Sequence, residues 1–214
     1  MTAAYFKDCI DYDQGCQLLS CDPRKAPLLS WRNDPAIWQW CRQHTLIDED
    51  SHEAWAKSLC SRKDVKMFLI GNLGEYVGVC GLTDIDHLNQ RAEFSLYIAP
   101  EFQGRGLAKS ALKTLLCHGF LDLNLNCIWG ESFENNPAQN LFQKVGFKFE
   151  GRRRHFYYRE GRFIDACLYS ALRSDWVSNW PKLPTKKIHS NVGKLIQNTQ
   201  SEHLKAHASP VGKI

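Results

Sequence analysis

Six residues, Gln103-Gly104-Arg105-Gly106-Leu107-Ala108, lie between a strand-like run closed by Pro100 and a helix-like run that begins at Lys109. A glycine-containing turn that opens a helix gathers main-chain N–H groups with no internal partner, and the helix dipole adds positive charge there. That arrangement suits a phosphate or diphosphate. Glycine at 104 and 106 keeps side chains out of an anion's path. Arg105 and Lys109 stand where they can add charge, or they are solvated surface cations. The nucleotide loop G-x-x-x-x-G-K is excluded, because Leu107 and Ala108 follow Gly106. The dinucleotide fingerprint G-x-G-x-x-G is incomplete, with Lys109 at the place of its last glycine. Taken alone, the six residues also fit a strand-to-helix turn without a ligand.

The elements that must hold this turn are legible in outline. Residues 27–41 read as helical with Pro35 as a break. Asp50 or Ser51 caps a helix that runs to Cys60. Strands are predicted over 65–70, 76–85, 91–99, 127–132, 147–150 and 163–172, with a helix over 109–121. Pro137 opens a helix over 138–145 that Gly146 ends. The first twenty residues fit one strand or an irregular arm. The order is α+β with a largely antiparallel sheet.

At 214 residues the chain has length for one domain and an extension. No run reaches the ~20 apolar residues of a membrane span, and the first residues lack the pattern of a signal peptide. Nine scattered cysteines without a C-x-x-C pair read as reduced thiols of a cytoplasmic protein. The net charge of +4 is carried by residues 173–214, with seven Lys/Arg against two Asp/Glu. We therefore divide the chain into a domain, 1–176, and a basic, solvated extension, 177–214.

Three ordered segments resemble one family. Gln103, Gly106 and Ala108 follow the acyl-coenzyme A loop of the GNAT N-acetyltransferases. Tyr76–Asp86 is similar to the strand pair before that loop. Asn135 to Phe147, with Ala138, Leu141, Phe142, Lys144 and Gly146, is similar to the helix and turn after it. Trp31-Arg32-Asn33-Asp34 and Asp165–Trp176 are similar to the branch of ribosomal-protein N-terminal acetyltransferases and flagellar aminosugar N-acetyltransferases. The likeness covers residues 24–176. It implies a GNAT-like acyl-CoA N-acyltransferase fold, a mixed, mostly antiparallel sheet flanked by helices.

By this resemblance the co-substrate is acetyl-CoA, and the acceptor is a primary amine on a small molecule, an aminosugar nucleotide or a polypeptide N-terminus. Gln103 to Ala108, with Arg105 and Lys109, holds the diphosphate, and Phe142 and Lys144 sit on the helix that flanks the coenzyme. The pantetheine arm lies along Tyr97-Ile98-Ala99, the Ile98 N–H faces the developing oxyanion, and Asn135 bonds the arm or caps a helix. Trp31, Arg32, Glu131 and Arg154 border the acceptor.

Attack by an amine requires loss of a proton from an ammonium of pKa near 10.4. Glu93 is the best-placed carboxylate for it, unless it is an exposed strand residue; Glu131 and Asp84 are reserves. The chain departs from the family at the proton donor for the leaving thiolate. Phe142 stands where relatives place tyrosine, and Ala138 where the ribosomal branch places serine. Another group or water must supply that proton, with Tyr97, Ser132, Tyr157 and Tyr158 as candidates. A second reading makes the fold a nucleic-acid platform, gripped by Arg152, Arg153, Arg154 and the basic tail, that binds or acylates an amino-modified base. Nucleic acid and a second copy of the chain stay open as partners.

Overall fold

Ala92, Phe94 and Ile98 belong to one buried cluster while Ala99 and Tyr97 belong to another, so their strand is covered on both faces. Successive side chains of a strand alternate sides, and here each side meets helices. The computed structural model describes residues 10, 15–43 and 45–179. In chain order the elements are β1 (Gln17–Ser20), α1 (Leu28–Asn33), α2 (Pro35–Trp38), α3 (Glu49–Ser58), β2 (Lys66–Asn72), β3 (Glu75–Asp86) and β4 (Arg91–Ile98). There follow α4 (Leu107–Cys117), β5 (Cys127–Phe133), α5 (Gln139–Val145), β6 (Lys148–Arg159), β7 (Arg162–Leu172) and α6 (Arg173–Asn179).

The strands form one mixed sheet in the order β1-β2-β3-β4-β5-β7-β6. Neighbours run antiparallel except β4 and β5, which are parallel. On one face α4 buries Ala111, Leu112, Leu115 and Leu116 against Phe68, Leu82 and Ile128. Leu28 and Trp31 of α1, with Ile37 of α2, close the other face over Leu69 and Val79.

Several expectations are corrected in detail. Pro35 does break the first helix, and Asp34 restarts it: its Oδ1 accepts from the Ala36 N–H at 2.8 Å. The cap of α3 is Asp48, whose Oδ1 accepts from the Ser51 N–H at 2.7 Å; Asp50 and Ser51 lie inside the first turn. The segment after Glu150 is strand as far as Arg159, with irregularities at Phe149/Gly151 and Arg153/Tyr157. The basic, aromatic stretch 152–159 is thus a hairpin edge, one of the two readings its sequence allows before the turn at Glu160-Gly161. The eight cysteines within the described residues are free thiols. Apart from residues 177–179, the expected extension lies outside the described residues.

Candidate active site

β4 and β5 share three register pairs, ending at Glu93 opposite Trp129. Beyond that pair the strands part, while β4 continues to Ile98 and β5 to Phe133. The Ala99 N–H donates to the Val77 carbonyl at 2.9 Å, on the β3 side. By the alternation of an antiparallel ladder, the amides of Leu96 and Ile98 therefore face the opening. Gln103 agrees, since its Nε2 donates to the Ile98 carbonyl at 3.0 Å from that same side. A parted pair of strands leaves main-chain groups that an amide-bearing chain can satisfy.

The wedge leads to the turn 103–108. Gly104 and Gly106 have φ of +76° and +77°, and a Cβ on either would meet nothing within 4 Å. Glycine is needed here for the left-handed backbone rather than for close packing. Gly106 is the N-cap of α4 and offers no side-chain cap. The amides of Gly104 through Ala108 have no hydrogen-bond partner among the described residues. Five such donors at a helix start form an anion cradle. Arg105 folds back over the Phe102 ring at 5.1 Å and donates to the Glu101 carbonyl at 2.8 Å. Lys109 is exposed beside the turn.

A cavity of about 740 Å³ runs from this turn, through the wedge, to the side of the sheet covered by α1–α3. Glu93 and Glu131 lie on its wall, both nearly excluded from solvent. Arg42, which follows α2, bridges them at 2.8 Å to Glu93 and 3.5 Å to Glu131. From β6, Arg153 reaches Glu131 at 3.2 Å and the Tyr157 hydroxyl donates to the same carboxylate. Burial pushes the Glu93 carboxyl above its ordinary value, and the Arg42 guanidinium opposes that shift. Burial, then the bond to Glu131, pushes the Tyr157 phenol up to about 12. An elevated carboxyl beside a cavity is the electrostatic setting of a general base.

The other predicted site residues divide. Tyr97, Ile98, Gln103, Gly104, Gly106, Leu107, Ala108, Phe142 and Arg32 are brought together on the cavity wall. One guanidinium nitrogen of Arg32 is buried there with no hydrogen-bond partner among the described residues. Trp31 instead fills the core under α1, its Nε1 donating to Glu101 at 3.3 Å. Ala99 is buried in that same core. Asn135 is exposed, and the neighbouring Asn136 makes the turn bond, its Oδ1 accepting from the Ala138 N–H at 2.9 Å. Lys144 and Arg154 are exposed away from the wall. Arg152 and Arg153 are paired with Glu134, Asp165 and Glu131, so the arginine run is not a row of free cations. Arg42 is the functional residue that the sequence did not reveal: it stands in a loop with no motif around it. Among the described residues no helix is long and apolar enough to cross a membrane.

Residues 20–148 match the model of the acetyltransferase (GNAT) domain. The spermidine N(1)-acetyltransferase of Escherichia coli strain K12 is 36% identical over 108 residues, which cover 49% of this chain and 58% of that protein. The putative ribosomal N-acetyltransferase YdaF of Bacillus subtilis is 31% identical over 104 residues, covering 48% of this chain and 57% of the relative. The chain thus spans less than two thirds of the length of these curated relatives. The crystal structure of Vibrio cholerae spermidine N-acetyltransferase with CoA and spermine shares the fold at a TM-score of 0.73 and 23% identity. The superposition covers 77% of this chain and 99% of that one.

Proposed function

This chain belongs to the GNAT acetyltransferase family, and from that premise we propose that it moves an acetyl group from acetyl-CoA to a primary amine by direct attack in a ternary complex. The observation that carries the reading is the continuity of the wedge with the glycine turn. Partnerless amides at Gly104 to Ala108 fit a diphosphate, and the amides of Leu96 and Ile98 fit an amide-bearing arm. Acetyl-CoA supplies an activated acyl group; the remaining work falls to this chain.

Glu93 takes the proton from the arriving ammonium, directly or through water, and its elevated pKa suits that exchange. Arg42 keeps Glu93 and Glu131 in place while no cation is present. The Ile98 N–H stands where the wedge opens and supports the negative charge that develops on the carbonyl oxygen. Trp55, His52 and Ile47 line the acceptor side, and His52 Nε2 is buried with no hydrogen-bond partner among the described residues. The acceptor is a small-molecule amine, an aminosugar nucleotide or a polypeptide N-terminus, and relatives named as a spermidine N(1)-acetyltransferase and a putative ribosomal N-acetyltransferase fit that range.

The test is a panel of polyamines, aminosugar nucleotides and short peptides incubated with acetyl-CoA, with released thiol as the readout. Acceptor-dependent release by one class supports the reading. Absence of coenzyme binding by calorimetry, together with no release from any class, overturns it.

A further inference from the structure

We propose that Ser132 is the hydroxyl that serves the leaving sulfur, in place of the hydroxyls this chain lacks at Ala138 and Phe142. The proposal rests on the acetyl-transfer reading above. Ser132 is 7% exposed, and its Oγ has no hydrogen-bond partner among the described residues. A buried hydroxyl without a partner is disfavoured and marks a place where a bond is made with something else. Ser132 lies on the cavity wall together with Asn136, Ala138 and Phe142.

Its orientation follows from the strand. A Cβ on Gly130 would come within 2.4 Å of the Phe94 ring, so the Gly130 face of β5 is the face on which Phe94 lies. Phe94 in turn packs edge-on against Phe142 at 5.1 Å between centroids. Ser132, two residues on, presents its side chain to that same face, past the point where β4 and β5 separate. The other three candidate hydroxyls are held or oriented differently, although Tyr97 also reaches the cavity wall. Tyr157 donates to Glu131 and is not on the cavity wall. Tyr158 is 60% exposed. Tyr97 packs with the α1 core, on the opposite face of β4 from Phe94.

The proton balance then closes within the site. Glu93 has already taken one proton from the ammonium. As the new carbon–nitrogen bond forms and the carbon–sulfur bond breaks, the electron pair of the latter stays on sulfur. The Ser132 hydroxyl proton passes to that sulfur, and the Ser132 oxygen receives the surplus proton of the acylated nitrogen. An amide and a free thiol leave, Ser132 is unchanged, and no further reactant is consumed. A serine between a nitrogen donor and a sulfur acceptor bonded to one carbon spans a short cyclic path.

The experiment uses the full chain and coenzyme A labelled with ¹³C at the carbon bonded to sulfur. The NMR shift of that carbon reports ionisation of the bound thiol. A hydroxyl donating to sulfur favours the thiolate, so the bound thiol of the natural chain titrates at lower pH than in Ser132→Ala, and Ser132→Thr restores the lower value. With an acceptor found in the amine panel, Ser132→Ala lowers kcat by about tenfold to a hundredfold with KM for both substrates unchanged. Identical thiol titrations in the natural chain and Ser132→Ala, or a change confined to KM, overturn the role of Ser132 alone. Failure of the labelled coenzyme to bind the natural chain overturns the acetyl-transfer reading, and the role of Ser132 with it.

Discussion

Arg42 meets Glu93 at 2.8 Å, so a half-exposed guanidinium caps a carboxylate that is almost wholly buried. Its second nitrogen lies 3.5 Å from Glu131. The two glutamates come from adjacent strands, Glu93 at the last β4–β5 pair and Glu131 two residues beyond its partner Trp129. An incoming ammonium seeks the same oxygens. Arg42 therefore holds the place of a cation at the floor of the proposed acceptor site, where an acceptor would share or displace it.

This arrangement fixes a pH dependence. Burial raises the Glu93 pKa and Arg42 lowers it, with burial the larger effect. A base works only as the carboxylate, so activity is present above the Glu93 pKa and lost as pH falls through it. Removing the guanidinium takes away the opposing effect. Arg42→Ala is expected to move the acidic limb of the kcat/KM profile upward. An unshifted limb in full pH–rate profiles of the two proteins would separate Arg42 from the titration.

Glu93 and Glu131 have different surroundings, which predicts different losses. Glu93 has Arg42 as its sole ion-pair partner among the described residues, whereas Glu131 is also held by Arg153 and the Tyr157 hydroxyl. A carboxylate with several bonds is the poorer proton carrier. Glu93→Gln is expected to lower kcat at neutral pH by about tenfold or more and to abolish the acidic limb. Glu131→Gln keeps that limb and shows its effect mainly in acceptor KM. Equal kcat losses and equal profiles in the two variants would sink the assignment of Glu93 as the base.

How much of this was legible follows from particular residues. The turn 103–108 and the strand–helix order around it depend on neighbours in sequence, where glycine and periodicity signal directly. The burial of Glu93 does not, because β4 is covered on both faces and Ala92, Glu93 and Phe94 are all buried in succession. Period-two alternation has nothing to report in such a strand. Arg42 finds its partners 51 and 89 residues away across the cavity, a tertiary contact that no local pattern encodes. Ser132 was visible only as one hydroxyl among four, and its empty hydrogen-bonding capacity belongs to the folded chain.

The wall behind Ser132 should be sensitive to a single carbon atom. Phe94 fills the space that Gly130 leaves, and Phe142 and Phe147 back that ring at 5.1 and 4.8 Å. With the ring held from behind, Gly130→Ala forces overpacking, which costs about 1–3 kcal/mol. The expected result is a lower unfolding midpoint in denaturant with an unchanged slope, and weaker coenzyme binding because the wedge wall moves. A variant as stable as the natural chain would show that the ring has room to yield.

The glycine turn offers the sharpest separation of binding from folding. Gly106 has a left-handed backbone, φ +77°, yet a Cβ there meets nothing within 4 Å. Alanine at this position suffers backbone strain without any clash, a cost of about 1–2 kcal/mol. The strain is relieved by rotating the amides that start α4, and those amides are the proposed diphosphate cradle. Gly106→Ala is therefore expected to weaken coenzyme A binding by about tenfold while the apolar face of α4, with Leu112, Leu115 and Leu116 fully buried, keeps the domain folded. Calorimetric titration with coenzyme A, beside one with dephosphorylated pantetheine, checks the origin of the loss. The diphosphate-bearing ligand should lose affinity and the pantetheine should not; equal losses for both would place the anion away from this turn.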